Sequence, residues 1–116
     1  MMSIIQNNDG RCYLCQLLNQ DYGQKNNIEE HHAIFGTAQR QLSERYGLKV
    51  YLCILHHRTG PNAVHKNKYA ADLIKDIAQR RFDEGFPELD FRNIFGKNYY
   101  LTEEERQECI KRLKGE

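Results

Sequence analysis

The sequence predicts an α+β fold in which metal ligands hold the N-terminal half together. Two segments before residue 54 suit extended chain, and two segments after residue 65 suit helices. Three of the four cysteines and all five histidines fall between residues 12 and 65. A chain of 116 residues has room for one domain with a thin core, so a metal clip would stabilise it where long apolar runs are missing.

The elements of the first half follow from local patterns. We expect a polar arm over residues 1–11 and a tight knuckle at Cys12–Cys15, because two ligands this close in sequence curl around one ion. Residues 28–35 can be extended. Residues 39–46 predict a short helix, and Gly47 ends it because glycine readily takes the left-handed conformation found after helices.

The second half is predicted to be mainly helical. Residues 48–53 alternate around a β-branched centre and form the last predicted strand, and the Gly-Pro pair within residues 58–62 predicts a turn. Apolar side chains at steps of three and four predict an amphipathic helix over residues 66–84. A loop is expected at residues 91–96, and the Thr-Glu-Glu-Glu sequence at 102–105 is a capping box that starts a final helix.

The net charge of +1 argues against a protein that coats nucleic acid. The charge is uneven, however, because residues 36–68 carry six basic side chains and a single glutamate. These basic residues are Arg40, Arg45, Lys49, Arg58, Lys66 and Lys68. The segment can attract phosphate groups, and it is equally compatible with an ordinary solvated surface.

The chain carries no apolar stretch long enough to cross a bilayer, and residues 1–10 lack the pattern of a signal peptide. We therefore expect a cytoplasmic protein without a membrane partner. Cysteines are kept reduced in the cytoplasm, so closely spaced pairs there indicate metal binding rather than disulfides. Cys109 lies in the predicted last helix, far from the other three in sequence, and is interpreted as a half-buried free thiol.

Two ligand pairs predict a structural zinc site. Cys12 and Cys15 are separated by two residues, and so are Cys53 and His56. Structural zinc takes four tetrahedral ligands and commonly draws them as two such pairs. The predicted strand that ends at Cys53 would carry the second pair back to the first. The alternative interpretation is a set of isolated buried thiols.

Further histidines accompany these pairs: His31 and His32 lie between them, and His57 and His65 follow them. The stretches CYLC, EEHHAIFGTAQRQLSERYGLKVYLC and LCILHHRTGPNAVHKN resemble the HNH endonucleases, which are zinc-stapled ββα-metal or His-Me finger nucleases, and in particular the small ones of bacteriophages and prophages. The resemblance implies a single domain over residues 1–116. Its ββα-metal (HNH) core with structural zinc would span residues 12–68, with additional C-terminal helices over 69–116.

The resemblance also implies roles for individual residues. His32 corresponds to the general base that activates a water, and the two pairs described above correspond to the structural zinc quartet. His31, His57 and His65 correspond to ligands of a catalytic divalent ion, Mg²⁺ or Mn²⁺, with Ni²⁺ or Zn²⁺ as further candidates. The side chains expected on DNA phosphates are Arg40, Arg45, Arg58, Lys66 and Lys68.

The sequence departs from this family's pattern in two places. The central asparagine that helps to orient the base has no counterpart, since no Asn lies between Phe35 and Pro61. The eight-residue step from His57 to His65 exceeds the one-turn helical spacing seen in some relatives. Two assignments therefore stay open: one of these two histidines serves only structure, or His57 binds the zinc and His56 the catalytic ion.

The function implied by the resemblance is metal-dependent cleavage of double-stranded DNA, in a phage or prophage setting within the bacterial host cell. The DNA would be held mainly through its phosphate backbone, with a phage protein as a further candidate partner. A second hypothesis is a non-catalytic zinc module that binds DNA or a protein. A third is a small metal-dependent hydrolase acting on RNA or another phosphodiester.

Overall fold

The computed structural model describes residues 1–115 and confirms the predicted α+β class, with a sheet of two antiparallel strands. The elements in chain order are α1 (Tyr13–Asn19), β1 (Glu29–His32), α2 (Thr37–Tyr46), β2 (Lys49–Leu52), a π-helical turn (Leu55–Thr59), α3 (Lys68–Gly85), α4 (Phe91–Phe95) and α5 (Glu103–Leu113). No helix within residues 1–115 is long and apolar enough to cross a membrane.

The two strands pair directly with each other, and the chain that connects them forms a helix rather than a tight hairpin turn. His31 lies opposite Val50, and His32 lies opposite Lys49. Helix α2 fills the connection and ends at Gly47, whose φ of 70° is left-handed. A Cβ at Gly47 would stand 2.4 Å from the carbonyl oxygen of Met2, so only glycine fits this turn. The turn delivers the chain directly into β2.

The N-terminal segment is packed against the sheet, so the prediction of a polar arm over residues 1–11 is wrong. The backbone N–H of Ile4 donates to the Gly47 carbonyl, and the Ser3 hydroxyl donates to the Lys49 carbonyl. Gln6 accepts from the backbone N–H of Tyr51, and Ile5 is buried. These contacts satisfy the outer edge of β2, which would otherwise present unpaired backbone groups.

The predicted loop at residues 91–96 contains one helical turn, α4, so that prediction is also wrong. Asp90 caps the turn by accepting from two backbone N–H groups. Phe91 and Phe95 stack with ring centroids 4.3 Å apart, and Phe82 of α3 meets both edge-on. A single turn is too short to show a helical period, but burial of these rings stabilises it.

Helix α5 closes the fold against α3. The predicted capping box between Thr102 and Glu105 is present, with both reciprocal hydrogen bonds formed. Buried Asp76 of α3 pairs with Arg80 and Arg106, which ties the two helices together. Cys109 is fully buried rather than half-buried as predicted. The apolar cluster extends from Ile5 to Leu113, so the C-terminal helices share one core with the segment before residue 68.

Candidate metal centres

The four predicted zinc ligands come together from two places in the fold. Cys12 is the N-cap of α1, and Cys15 lies in the first turn of that helix. Cys53 directly follows β2, and His56 lies in the π-helical turn. The backbone N–H groups of His56 and His57 both donate to the Cys53 carbonyl, which curls this turn around the Cys53 side chain.

The distances among these four side chains match a zinc tetrahedron. Zn–S bonds of about 2.3 Å and Zn–N bonds of about 2.0–2.1 Å place tetrahedral ligands about 3.8 Å apart for two sulfurs and about 3.5 Å apart for sulfur and nitrogen. The Sγ atoms of Cys15 and Cys53 are 3.8 Å apart. The Nδ1 atom of His56 lies 3.5, 3.4 and 3.5 Å from the Sγ atoms of Cys12, Cys15 and Cys53.

The chemistry of the four groups agrees with this geometry. The sulfur separation of 3.8 Å excludes a disulfide between Cys15 and Cys53, whose bond length would be about 2.05 Å. Burial raises the pKa of the Cys12 thiol, and burial together with Cys12 raises the pKa of Cys15. A cation at the centre reverses that effect because it stabilises thiolates. Burial lowers the pKa of His56, which keeps its ring neutral and able to bind a metal. The cluster can therefore hold a metal such as zinc.

Three more histidines form a second cluster on the other side of the same turn. The ligand atoms of His31, His57 and His65 all lie within 4.8 Å of one another. The Nε2 atoms of His57 and His65 are 3.1 Å apart. Two nitrogens bound to one ion at about 2.1 Å stand about 3.0 Å apart at a right angle and about 3.4 Å apart in a tetrahedron. The separation therefore suits a shared ion.

The structure shows how the histidines that the sequence left open are grouped. His56 joins the cysteines and His57 joins the other histidines, so the two adjacent rings belong to separate clusters. The long step to His65 is bridged because the chain folds back on itself: the backbone N–H of His65 donates to the His57 carbonyl. Gly60 makes this return possible, since a Cβ there would stand 2.6 Å from the Leu55 carbonyl oxygen.

His31 is the buried member of this cluster. It is only 2% exposed, and its Nε2 atom has no hydrogen-bond partner among the described residues. Burial, followed by the neighbouring His57 and His65 rings, lowers the pKa of His31 to about 3. A neutral buried nitrogen without a partner is costly to leave unpaired, and a metal ion satisfies it.

Glu29 orients His57, a role that the sequence analysis missed. Its carboxylate accepts from His57 Nδ1 at 2.7 Å, which leaves Nε2 as the nitrogen available to a metal. Arg58 and then His57 hold the pKa of Glu29 at about 2, so it stays ionised. The spacing within the strand could have indicated this role. Residues two apart in a strand share a face, so Glu29, two residues before His31, lies on the same face as His31.

A third cluster surrounds His32, the predicted base. Its Nε2 atom lies 2.9 Å from Oε1 of Glu44 and 3.8 Å from Oε1 of Glu30. Lys49, which is 6% exposed, places its ammonium 3.4 Å from Glu30 and 3.2 Å from Glu44. Glu44 was noted in the sequence only as the single acid of the basic segment.

The second and third clusters open into one cleft of about 930 Å³. The histidine trio and His32 lie in its wall, together with Arg40 and the start of α2. The remaining predicted DNA-contacting residues lie elsewhere. Arg58 is paired with Glu29, Lys68 with Asp72, Lys66 donates to a backbone carbonyl, and Arg45 is exposed on α2. Their contact with DNA stays a prediction.

Comparison of the chain with protein-family models, with curated proteins and with solved structures gives no match. The assignment of these sites therefore rests on the geometry described above.

Replacing Cys15 with serine tests the zinc cluster. Cys15→Ser is expected to remove bound zinc and lower the melting temperature by about 10 °C or more, because a structural zinc contributes its binding energy to folding. Cys109→Ser is the matched control, since Cys109 is equally buried but lies outside the cluster. Elemental analysis and thermal unfolding measure both quantities. Equal zinc content and equal melting temperatures in the two variants would contradict the assignment.

Replacing Glu29 with alanine tests the histidine trio. Without the carboxylate that fixes its ring, His57 is expected to bind Mn²⁺ about tenfold more weakly, in the range measured for lost outer-shell partners. Titration calorimetry on zinc-loaded protein measures this affinity. Glu88→Ala, on an exposed residue remote from the cleft, should bind as the wild type does. The same Mn²⁺ affinity in all three proteins would remove Glu29 from the site.

Proposed function

We propose that this protein is a metal-dependent nuclease that hydrolyses DNA phosphodiester bonds in the cleft described above. The observation that carries the proposal is the meeting of His31, His57 and His65 within 4.8 Å of one another, in the same cleft as His32. Three imidazole nitrogen donors at an open cleft are a donor set that leaves positions on an ion for substrate and water.

In this proposal the trio holds a divalent ion, Mg²⁺ or Mn²⁺, at the floor of the cleft. When bound, such an ion polarises a phosphate and stabilises the departing 3′ oxygen. His32 acts as the general base that takes a proton from the attacking water, a task suited to an imidazole near neutral pH. Glu29 keeps His57 turned toward the ion through its contact with Nδ1.

Phosphate binding is assigned first to Arg40. Its side chain is exposed in the wall of the cleft, and no ion pair engages it among residues 1–115. An arginine in this position can grip a phosphate with two hydrogen bonds while the neighbouring phosphate reaches the ion. Arg45 is also exposed on α2, but it lies five residues further on, about 140° around the helix from Arg40, and outside the wall of the cleft, so it has no part in this assignment.

The order of the elements supports the resemblance noted in the sequence. The strand with His31 and His32, the second strand, the turn with His57 and the helix after His65 follow one another as in a ββα-metal core. We therefore propose an HNH-type nuclease; a phage or prophage origin and action in the bacterial cytoplasm are what the resemblance implies.

A second candidate function is a non-catalytic zinc module that binds DNA or a protein. It is favoured by the ion pairs that already engage two of the predicted DNA-contacting residues, Arg58 with Glu29 and Lys68 with Asp72. The net charge of +1 also fits a weak or protein-directed binder. In that case the zinc cluster would shape the fold, and the histidine trio would have no substrate.

Plasmid relaxation separates these functions. Zinc-loaded protein with Mg²⁺ or Mn²⁺ is expected to nick or linearise supercoiled DNA, and His32→Ala to lose at least about 100-fold of that rate because the base is gone. The variant should keep the wild-type zinc content and melting temperature, which shows that the fold is intact. A chelator should stop the reaction, and added Mn²⁺ should restore it.

Intact plasmid in Mg²⁺, Mn²⁺, Ni²⁺ and Zn²⁺, from protein that holds its zinc, would overturn the nuclease proposal. A gel-shift with the same DNA then tests the binding module. Single-stranded RNA, run beside the plasmid, tests the third hypothesis, since cleavage of RNA alone would reassign the substrate.

A further inference from the structure

We propose that Glu44 is a positioning residue for His32, fixing which ring nitrogen carries the proton and leaving the other free to act as a base. The inference rests on the proposed nuclease function, and it assigns to an acid in α2 the orienting task that a central asparagine performs in the resembling family. No asparagine is present between Phe35 and Pro61 to perform it.

The contact itself determines the tautomer. Oε1 of Glu44 lies 2.9 Å from Nε2 of His32, which is hydrogen-bond distance. An ionised carboxylate has no hydrogen to donate, so Nε2 must carry the proton in the neutral ring. Nδ1 is then the only nitrogen with a free lone pair, and it is the atom that would accept a proton from water.

The structure also holds Glu44 in place. The ammonium of Lys49 donates to both of its carboxylate oxygens, at 3.4 and 3.2 Å. Lys49 is nearly inaccessible to solvent and is paired with His32 across the sheet. The strand register therefore sets the lysine beside the histidine. Lys49 and the N-terminal ammonium of Met1, which lies 2.8 Å from Oε2, together hold Glu44 beside the ring.

A cation site is the competing explanation for this cluster, because Glu30, His32 and Glu44 each offer a ligand atom within 4.8 Å. Two ammonium groups already balance the charges of the two glutamates: Lys49 lies 3.4 Å from Glu30 and 3.2 Å from Glu44, and the N-terminal ammonium of Met1 lies 2.8 Å from Glu44. A divalent ion would have to displace them. We therefore assign this ion-paired cluster to the positioning of the His32 ring. Glu44 is the positioning residue because its contact with His32 is shorter than that of Glu30.

Long-range ¹H–¹⁵N correlation spectra of the full chain, loaded with zinc, read the tautomer directly and do not depend on activity. The wild type is expected to show His32 with the proton on Nε2. Glu44→Ala should lose this single form, and Glu44→Gln should keep it because the amide oxygen still accepts. Glu88→Ala, on an exposed residue that does not line the cleft, is the control and should keep it as well.

Cleavage kinetics on the same four proteins test the consequence. Glu44→Ala is expected to lower kcat about 10- to 100-fold with KM and Mn²⁺ affinity unchanged, in the range that general-base catalysis contributes. Glu44→Gln should recover most of the rate, and Glu88→Ala should match the wild type. A parallel fall in zinc content or melting temperature would instead mark Glu44 as structural and overturn the inference.

Two spectral results would also overturn it: a wild-type His32 with the proton on Nδ1, or an unchanged tautomer in Glu44→Ala. Equal losses in Glu30→Ala and Glu44→Ala would point to a cation site instead. A wild type that fails to cut DNA but shows the expected tautomer would defeat the nuclease proposal and leave the Glu44–His32 contact established.

Discussion

The cluster of Cys12, Cys15, Cys53 and His56 is the constraint on which the candidate active site depends. It brings the start of α1 and the turn after β2 together around one set of ligands. Because His56 faces the cysteines, the next residue along the turn must face away from them. That residue is His57, and the cluster thereby directs its ring toward His31 and His65. One ligand cluster thereby sets the geometry of the other.

Two carboxylates fix the orientation of histidine rings in the cleft. Glu29 accepts from a ring nitrogen of His57, and Glu44 accepts from a ring nitrogen of His32. Each is held by a cation in turn, Arg58 for the first and Lys49 for the second. A ring nitrogen that donates to a carboxylate leaves its partner nitrogen as an acceptor, so both contacts have the same chemical result. In the proposed mechanism the free nitrogen of His57 binds a metal, and the free nitrogen of His32 accepts a proton.

The sequence predicted those features that depend on local spacing. The two ligand pairs, the capping box at Thr102 and the helix ended by Gly47 each follow from residues within one or two turns. The grouping of His31, His57 and His65 was anticipated through the resemblance to a family, and the structure brings these three together. The chain turns back at Gly60, which lets His57 and His65 meet although they are eight positions apart in the sequence. This turn depends on a close approach between backbone atoms that no sequence pattern reveals.

The features that the sequence missed arise from contacts between distant segments. Glu44 meets His32 only because α2 folds back over the sheet, and residues 3–6 are ordered only because β2 offers them an open edge. The turn at α4 is stabilised by rings of α3 rather than by its own five residues. In each case a tertiary contact overrides a weak local preference.

Anomalous diffraction from crystals grown with Mn²⁺ tests the central claim, that two adjacent metal sites share the turn between His56 and His57. Data collected on both sides of the zinc and manganese absorption edges should place zinc about 2.3 Å from three sulfur atoms. A second anomalous peak should lie among His31, His57 and His65. The absence of zinc from the cysteine cluster, or of any ion from the histidine trio, would contradict the account.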